Sequence, residues 1–243
     1  MSIKGFINNF KNLIFTRRCI ICGEVCDVRR SLCPECEKAP CRIEGEICNK
    51  CGVPKENCIC ERPPFYMSVC APFFYEGGPK KAVYLTKFKN DLFITEQLGK
   101  EMANCVKTRY AGYDFDCCTF TPSHKKDIKK RGYNQAERLA KIIADELNIP
   151  CYDLISKDFV TAPQRSLPGY LRTGNLAGAL SFNSKEGHNI ENMRILLCDD
   201  LKTTGSTLNE CTKILLFNKA AEVRCVTACI KPKEKGAKKV HSS

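Results

Sequence analysis

Residues 193 to 208 read MRILLCDDLKTTGSTL: an apolar run, two adjacent carboxylates, then five small residues rich in hydroxyls and glycine. A near-continuous apolar run is expected of a central strand covered on both faces, as in a parallel sheet. The helical pattern over 207–217 and the strand pattern EVRCVTACI over 222–230 continue the alternation. Upstream, SVCAPFFYE reads as a strand bounded by Gly77, Gly78 and Pro79, and CCTFTP (117–122) as a short one. Between them, PKKAVYLTKFK and LFITEQLGKEMANCVKTRY carry apolar residues at helical spacing, among them Leu92, Leu98, Met102 and Val106. The run from Asn134 opens with a capping-box-like Asn-x-x-Glu and places Ala136, Leu139, Ala140, Ile143 and Leu147 on one face. Strands alternating with helices predict an α/β domain with a mostly parallel sheet. The acid pair then falls at a strand's carboxyl end, where open α/β sheets place their ligands.

The chemistry of that end narrows the ligand. A turn of Thr203, Thr204, Gly205, Ser206 and Thr207 entering a helix offers backbone N–H groups, hydroxyls and a helix dipole to one point, which suits a phosphate. Asp199 and Asp200 would repel that phosphate, so they need another object close by. A sugar cis-diol fits, because carboxylates accept hydrogen bonds from its two hydroxyls. The stretch matches neither GxxxxGK[ST] nor GxGxxG, which argues against nucleoside triphosphates and dinucleotides. A ribose 5-phosphate satisfies both halves.

The cysteines mark a second region. Ten of the chain's 19 lie between Cys19 and Cys60, in sequence poor in large apolar residues. Such a segment needs metal or disulfides in place of a core. Cys19-x2-Cys22 with Cys33-x2-Cys36 has the spacing of a closed four-thiolate zinc site. Cys48-x2-Cys51 with Cys58-x-Cys60 forms a second set, its last pair one residue short of the usual interval. Cys26 and Cys41 are left over, and crossed pairing between the sets stays open. With no histidine beside these cysteines, the expected Zn2+ is structural, one or two ions, with docking to protein or nucleic acid as a compatible role.

Formal charge is +12, concentrated in HKKDIKKR (124–131) and KPKEKGAKK (231–239), so polyanions are natural partners. The opening MSIKGFINNFKNLIF is broken by Lys4, Asn8, Asn9, Lys11 and Asn12, so no secretory signal is expected. No run reaches the roughly 18 apolar residues of a membrane span. A cytoplasmic setting and zinc-bound thiolates follow as expectations. His124, His188 and His241 are dispersed and read as incidental.

ILLCDDLKTTGSTL resembles the phosphoribosyl pyrophosphate motif of type I phosphoribosyltransferases, two acids followed by TTGxT. KKRGYNQAERLA (129–140) is similar to the RGFNQAELLA segment of ComF/GntX-type proteins, and TAPQRSLPGYLRTGNLAGAL (161–180) to their TxxQxxLxxxxRxxNLxGAF segment. Tyr133 and Leu180 stand where that family has Phe, and the Cys-x-Cys ending departs from its pattern. The resemblance covers essentially the whole chain. It implies an N-terminal helix and double zinc ribbon over 1–62, a type I phosphoribosyltransferase-like domain over 63–231, and a flexible basic tail over 232–243.

For the site, the resemblance implies that Asp199 and Asp200 hold ribose hydroxyls and that Thr203 to Thr207 cradle the 5-phosphate. Lys126 and Arg131 would lie by the pyrophosphate, with Arg131 counted beside the two aspartates in the catalytic set. Gln164, Arg172 and Asn175 would belong to a segment that closes over the ligand. Pyrophosphate also demands Mg2+ to neutralise its charge. A phosphoribosyltransferase acting on an unspecified acceptor is one function this implies. The other is an accessory factor in competence that keeps the pocket and binds single-stranded DNA or DNA-uptake proteins. Asn134 is read as a helix cap.

Overall fold

The computed structural model describes residues 18–27, 30–60, 62–157, 180–183 and 188–231. Along the chain come β1 (Ser68–Cys70), β2 (Phe73–Phe74), α1 (Gly77–Phe88), α2 (Leu92–Arg109), β3 (Cys117–Phe120), α3 (Lys125–Arg131) and α4 (Gln135–Leu147). There follow β4 (Ile155–Ser156), β5 (Ser181–Phe182), β6 (Arg194–Lys202), α5 (Ser206–Phe217) and β7 (Glu222–Ile230). The main sheet runs β1-β7-β6-β3, with β2 continuing the outer edge against β7. Every pairing in it is parallel. β4 and β5 form a separate antiparallel pair.

The apolar stretch at 195–198 forms the middle of β6 because both of its faces are covered. Leu196 and Cys198 join the core built with α1, α2 and α4, whereas Ile195 and Leu197 join the core under α5. Successive strand residues point to opposite faces, so one unbroken run serves two cores. α4 turns Leu139, Ala140 and Ile143 inward, as its periodicity predicts. Gly99 on α2 lets α4 come close, since a Cβ there would sit 2.7 Å from Ile142 Cγ2.

Two local features differ from expectation and a third adds to it. The SVCAPFFYE strand is split, because Pro72 has no N–H to give the ladder; its carbonyl instead accepts from Ile43 N–H (2.9 Å). β6 runs on through both aspartates to Lys202. The basic run 124–131 holds the short helix α3, capped by His124 and ended by Gly132 at φ +83°. The expected N-terminal helix and basic tail, and nearly all of the 161–180 segment, lie outside the described residues.

The cysteine-rich segment is fastened to the sheet edge. Phe74 N–H donates to Cys41 O (2.7 Å), making an antiparallel bridge between Arg42 and Phe73. Arg42 pairs with Glu101 of α2 (3.1 Å), and Arg109 donates to Ile43 O (2.8 Å). Ile43, Val53, Ala71 and Ile230 bury a small apolar cluster beneath it. Among the described residues, no helix is long and apolar enough to cross a membrane.

Candidate functional site

The acid pair sits near the end of β6, next to the start of α5. Its two carboxylates have different surroundings. Asp199 Oδ1 accepts from Thr121 Oγ1 (2.8 Å), just past β3, and from the Asp200 backbone N–H (2.9 Å). Asp200 Oδ2 accepts from Lys87 Nζ at the end of α1 (3.3 Å). Desolvation first and the Asp200 charge second raise the Asp199 pKa to about 8, with the Thr121 hydroxyl working against both. One carboxylate therefore tends to hold its proton at neutral pH while its neighbour is paired with a cation.

Residues 203–207 lead straight into α5. Thr203, Thr204 and Ser206 are exposed, Gly205 and Thr207 half-buried. Gly205 is the N-cap at φ +82°, a conformation that favours glycine. Thr204 Oγ1 and Ser206 Oγ lie 2.8 Å apart, and Ser206 N–H donates to Thr204 Oγ1 (3.3 Å). These hydroxyls and N–H groups gather at the positive end of a 12-residue helix. The arrangement can hold a dianionic phosphate, with the acid pair two strand residues before the turn to take hydroxyls.

The basic residues expected here lie on α3. Arg131 donates to Gln135 Oε1 (3.2 Å), lies 3.6 Å from Asp127 and covers the Phe88 ring at 5.2 Å. Phe88 follows Lys87, the residue that pairs with Asp200. Lys126 is exposed on the first turn of α3. Asn134 is buried; its Oδ1 accepts from Ala136 N–H (3.1 Å) and Ser123 Oγ (2.9 Å), and its Nδ2 donates to Thr121 O (3.0 Å). It caps α4 while fixing the strand end that carries Thr121. Gln164, Arg172 and Asn175 lie outside the described residues.

The eight paired cysteines come together as two groups of four, Cys19, Cys22, Cys33 and Cys36, then Cys48, Cys51, Cys58 and Cys60, each with its sulfurs within 4.8 Å of one another. Tetrahedral zinc at a Zn–S distance of about 2.3 Å requires sulfurs about 3.8 Å apart. Cys22 and Cys33 are 3.8 Å apart, and Cys51 and Cys58 are 3.7 Å apart, so both donor sets fit that ion. The short Cys58-x-Cys60 interval closes through Cys60 N–H, which donates to Cys58 Sγ (3.4 Å). That bond is the main cause drawing the Cys58 thiol down to about 7, toward the thiolate that binds metal. Cys26 donates instead to Arg30 O (3.6 Å), and Cys41 is buried against the sheet edge.

Thr121, Lys87, Lys202 and Tyr66 also belong to this region. Lys202 is buried, and both its Cε and the Tyr66 hydroxyl lie 3.2 Å from where a Gly205 Cβ would be. Thr121 had one sequence cue, its place at the end of a predicted strand. Lys202 lies inside the quoted stretch, directly before Thr203, although nothing in its spacing marked it as buried; Lys87 and Tyr66 sit in ordinary helix and linker sequence, and only tertiary packing brings them here.

A model of the phosphoribosyl transferase domain matches residues 133–242. Competence protein F of Haemophilus influenzae is 29% identical over 214 residues, covering 83% of this chain and 91% of that protein. DNA utilization protein YhgH of Salmonella typhimurium is 26% identical, covering 87% of this chain and 89% of that one. Competence protein ComFC of Streptococcus pneumoniae is 27% identical, covering 79% and 84%. The acid pair, the hydroxyl-rich turn and the two cysteine groups thus stand in a chain that is similar to competence proteins over most of its length and that joins a cysteine-rich segment to a phosphoribosyltransferase-like parallel sheet.

Proposed function

We propose that the chain binds phosphoribosyl pyrophosphate with Mg2+ at the carboxyl end of β6 and serves the uptake of DNA in natural transformation. The observation that carries the ligand is the acid pair set directly before a hydroxyl-rich turn at the start of α5. The competence role rests on the names of the relatives.

In this reading Asp199 and Asp200 accept from the ribose hydroxyls, and the turn 203–207 cradles the 5-phosphate. Arg131 and Lys126 face the pyrophosphate, with Lys87 tempering the charge of Asp200. The strand end offers oxygen donors only, Asp199, Asp200 and Thr121, a set suited to a hard cation such as Mg2+. Bound with the ligand, Mg2+ would neutralise pyrophosphate and improve it as a leaving group. Charge develops on the sugar as pyrophosphate departs, and an ionised Asp199 at the ribose would stabilise it. Zn2+ at the two tetracysteine sites is structural in this scheme.

Calorimetric titration of phosphoribosyl pyrophosphate with Mg2+ into the wild type and the Asp199→Asn, Asp200→Asn variant tests the reading. Wild-type binding that is lost in the variant supports it; the absence of wild-type binding overturns it.

A second reading, an accessory factor for single-stranded DNA, is favoured by one surface beside the site. Tyr84 and Phe88 are exposed and in ring contact at 5.0 Å on α1, with Arg131 over Phe88 and Lys129 and Lys130 on the same turn of α3. Aromatic rings interleaved with cations suit unpaired bases and their phosphates. A gel shift on a single-stranded oligonucleotide that is unchanged by Tyr84→Ala, Phe88→Ala would remove this surface from that role.

A further inference from the structure

We propose that the second tetracysteine site forms the back wall of the phosphate loop, and that Tyr66 is the positioning residue joining the two. The proposal rests on reading 203–207 as a 5-phosphate loop.

The contact is made by the turn that carries Cys48 and Cys51. Gly52 closes that turn at φ +76°, its N–H donating to Cys48 O (2.7 Å). A Cβ at Gly52 would lie 2.5 Å from Ile230 Cδ1 and 3.0 Å from Val69 O, so the turn is pressed against β1 and the last residue of β7. Val69 N–H donates to Asn49 O (3.0 Å). The next carbonyl, Lys50 O, accepts from the Tyr66 hydroxyl (2.9 Å). Tyr66 is 5% exposed, and the same oxygen lies 3.2 Å from the Cβ position of Gly205. Cys51 and Cys60 also share a cleft with Lys202 and Thr203, the residues entering the loop.

A short path therefore runs from the Cys51 thiolate through Lys50 O and the Tyr66 hydroxyl to Gly205. The first tetracysteine site has a different attachment. Ile21, between its first two ligands, packs on Gly78 at the start of α1, where a Cβ would meet Ile21 O at 2.0 Å. From Gly78 to Lys87, the α1 residue that touches Asp200, is nine residues of helix, about 13 Å. Fixing the 48–51 turn holds the phosphate loop; fixing the first site holds a distant helix end.

The test uses the full-length chain, zinc content by chelator assay, calorimetric titration of ribose 5-phosphate and of Mg2+-pyrophosphate, and amide hydrogen exchange of the 202–207 segment. Cys58→Ala, Cys60→Ala should release one zinc equivalent, weaken ribose 5-phosphate about tenfold and speed exchange in 202–207. Cys19→Ala, Cys22→Ala should release one equivalent too, with affinity and exchange there within about twofold of wild type. Tyr66→Phe keeps the ring and both zinc equivalents, yet should weaken ribose 5-phosphate by about two- to tenfold, the range of one lost hydrogen bond. Its Mg2+-pyrophosphate affinity should hold. Equal losses from both cysteine variants, or a Tyr66→Phe protein with wild-type affinity and exchange, would overturn the proposal. If the wild type ignores ribose 5-phosphate, the phosphate-loop reading fails; the exchange arm still decides whether the wall exists.

Discussion

The two tetracysteine sites have matching sulfur geometry and unlike neighbours. Both present four thiols at distances suited to one tetrahedral ion. The first lays Ile21 on a helix start, and the second sets its turn against β1, β7 and the entrance to α5. Ligand chemistry alone therefore does not tell what a zinc knuckle does. Its docking partner does, and here one knuckle packs on a scaffold helix while the other reaches, through Tyr66, the loop that would grip a phosphate.

The largest effect that would sharpen this contrast comes from the thiolates. Structural zinc in small domains contributes about 10–16 kcal/mol of apparent binding free energy at neutral pH, so deleting two ligands should unfold the knuckle that loses them. Limited proteolysis should then cut near 19–36 or near 48–60, according to the variant. A variant of one site that opens both would break the idea that they are independent.

Smaller effects come from the glycines. Gly52 and Gly23 both adopt positive φ, +76° and +82°, but Gly23 has nothing within 4 Å of its Cβ position. Gly52→Ala should cost left-handed strain plus overpacking, about 2–5 kcal/mol, whereas Gly23→Ala should cost strain alone, about 1–2 kcal/mol. Between them stands Gly78→Ala, with φ outside the left-handed region but backbone in its way. About 1–3 kcal/mol is expected there, felt at the first site only. Thermal melts give the order, at roughly 2–4 °C per kcal/mol for a chain of this size. If Gly23→Ala proved as costly as Gly52→Ala, the asymmetry in docking would be wrong.

Much of the fold was legible because local pattern and burial agree. The run at 193–198 and the strand at 222–230 have both faces covered, and the α4 periodicity meets a real core. The acid pair and the turn were legible because they are contiguous. Lys87 and Tyr66 were not, since each reaches the strand end from a different element and no short-range spacing records that. The same limit applies to the knuckles: cysteine spacing marks the ligand groups, but Gly78 and Val69, on which they dock, lie elsewhere in the chain. The split of β1 from β2 was foreshadowed by Pro72, whose missing N–H interrupts the ladder.

The last expected effect concerns Asp199, on the strand that leads into the loop. Its pKa rises from 3.8 to about 8 in the folded chain, through desolvation first and the Asp200 charge second. Below the unfolded value both states are protonated, and this raised pKa gives the fold its full contribution. As pH climbs, the unfolded chain releases the proton first, so that contribution falls away until it is lost above about 8. Asp199→Asn removes the titration, so the ligand-free variant should melt close to wild type near pH 4 and clearly above it near pH 8. Ribose hydroxyls donating to Asp199 favour its ionised form, so binding near pH 7 should expel most of a proton. Calorimetry in buffers of different ionisation enthalpy reads that release directly. A wild type that binds with no proton release, paired with an Asp199→Asn variant showing no gain at pH 8, would mean that Asp199 is already ionised in the free chain. Desolvation would then no longer distinguish the acid pair, and the Lys87 contact with Asp200 would have to account for any difference between the two carboxylates.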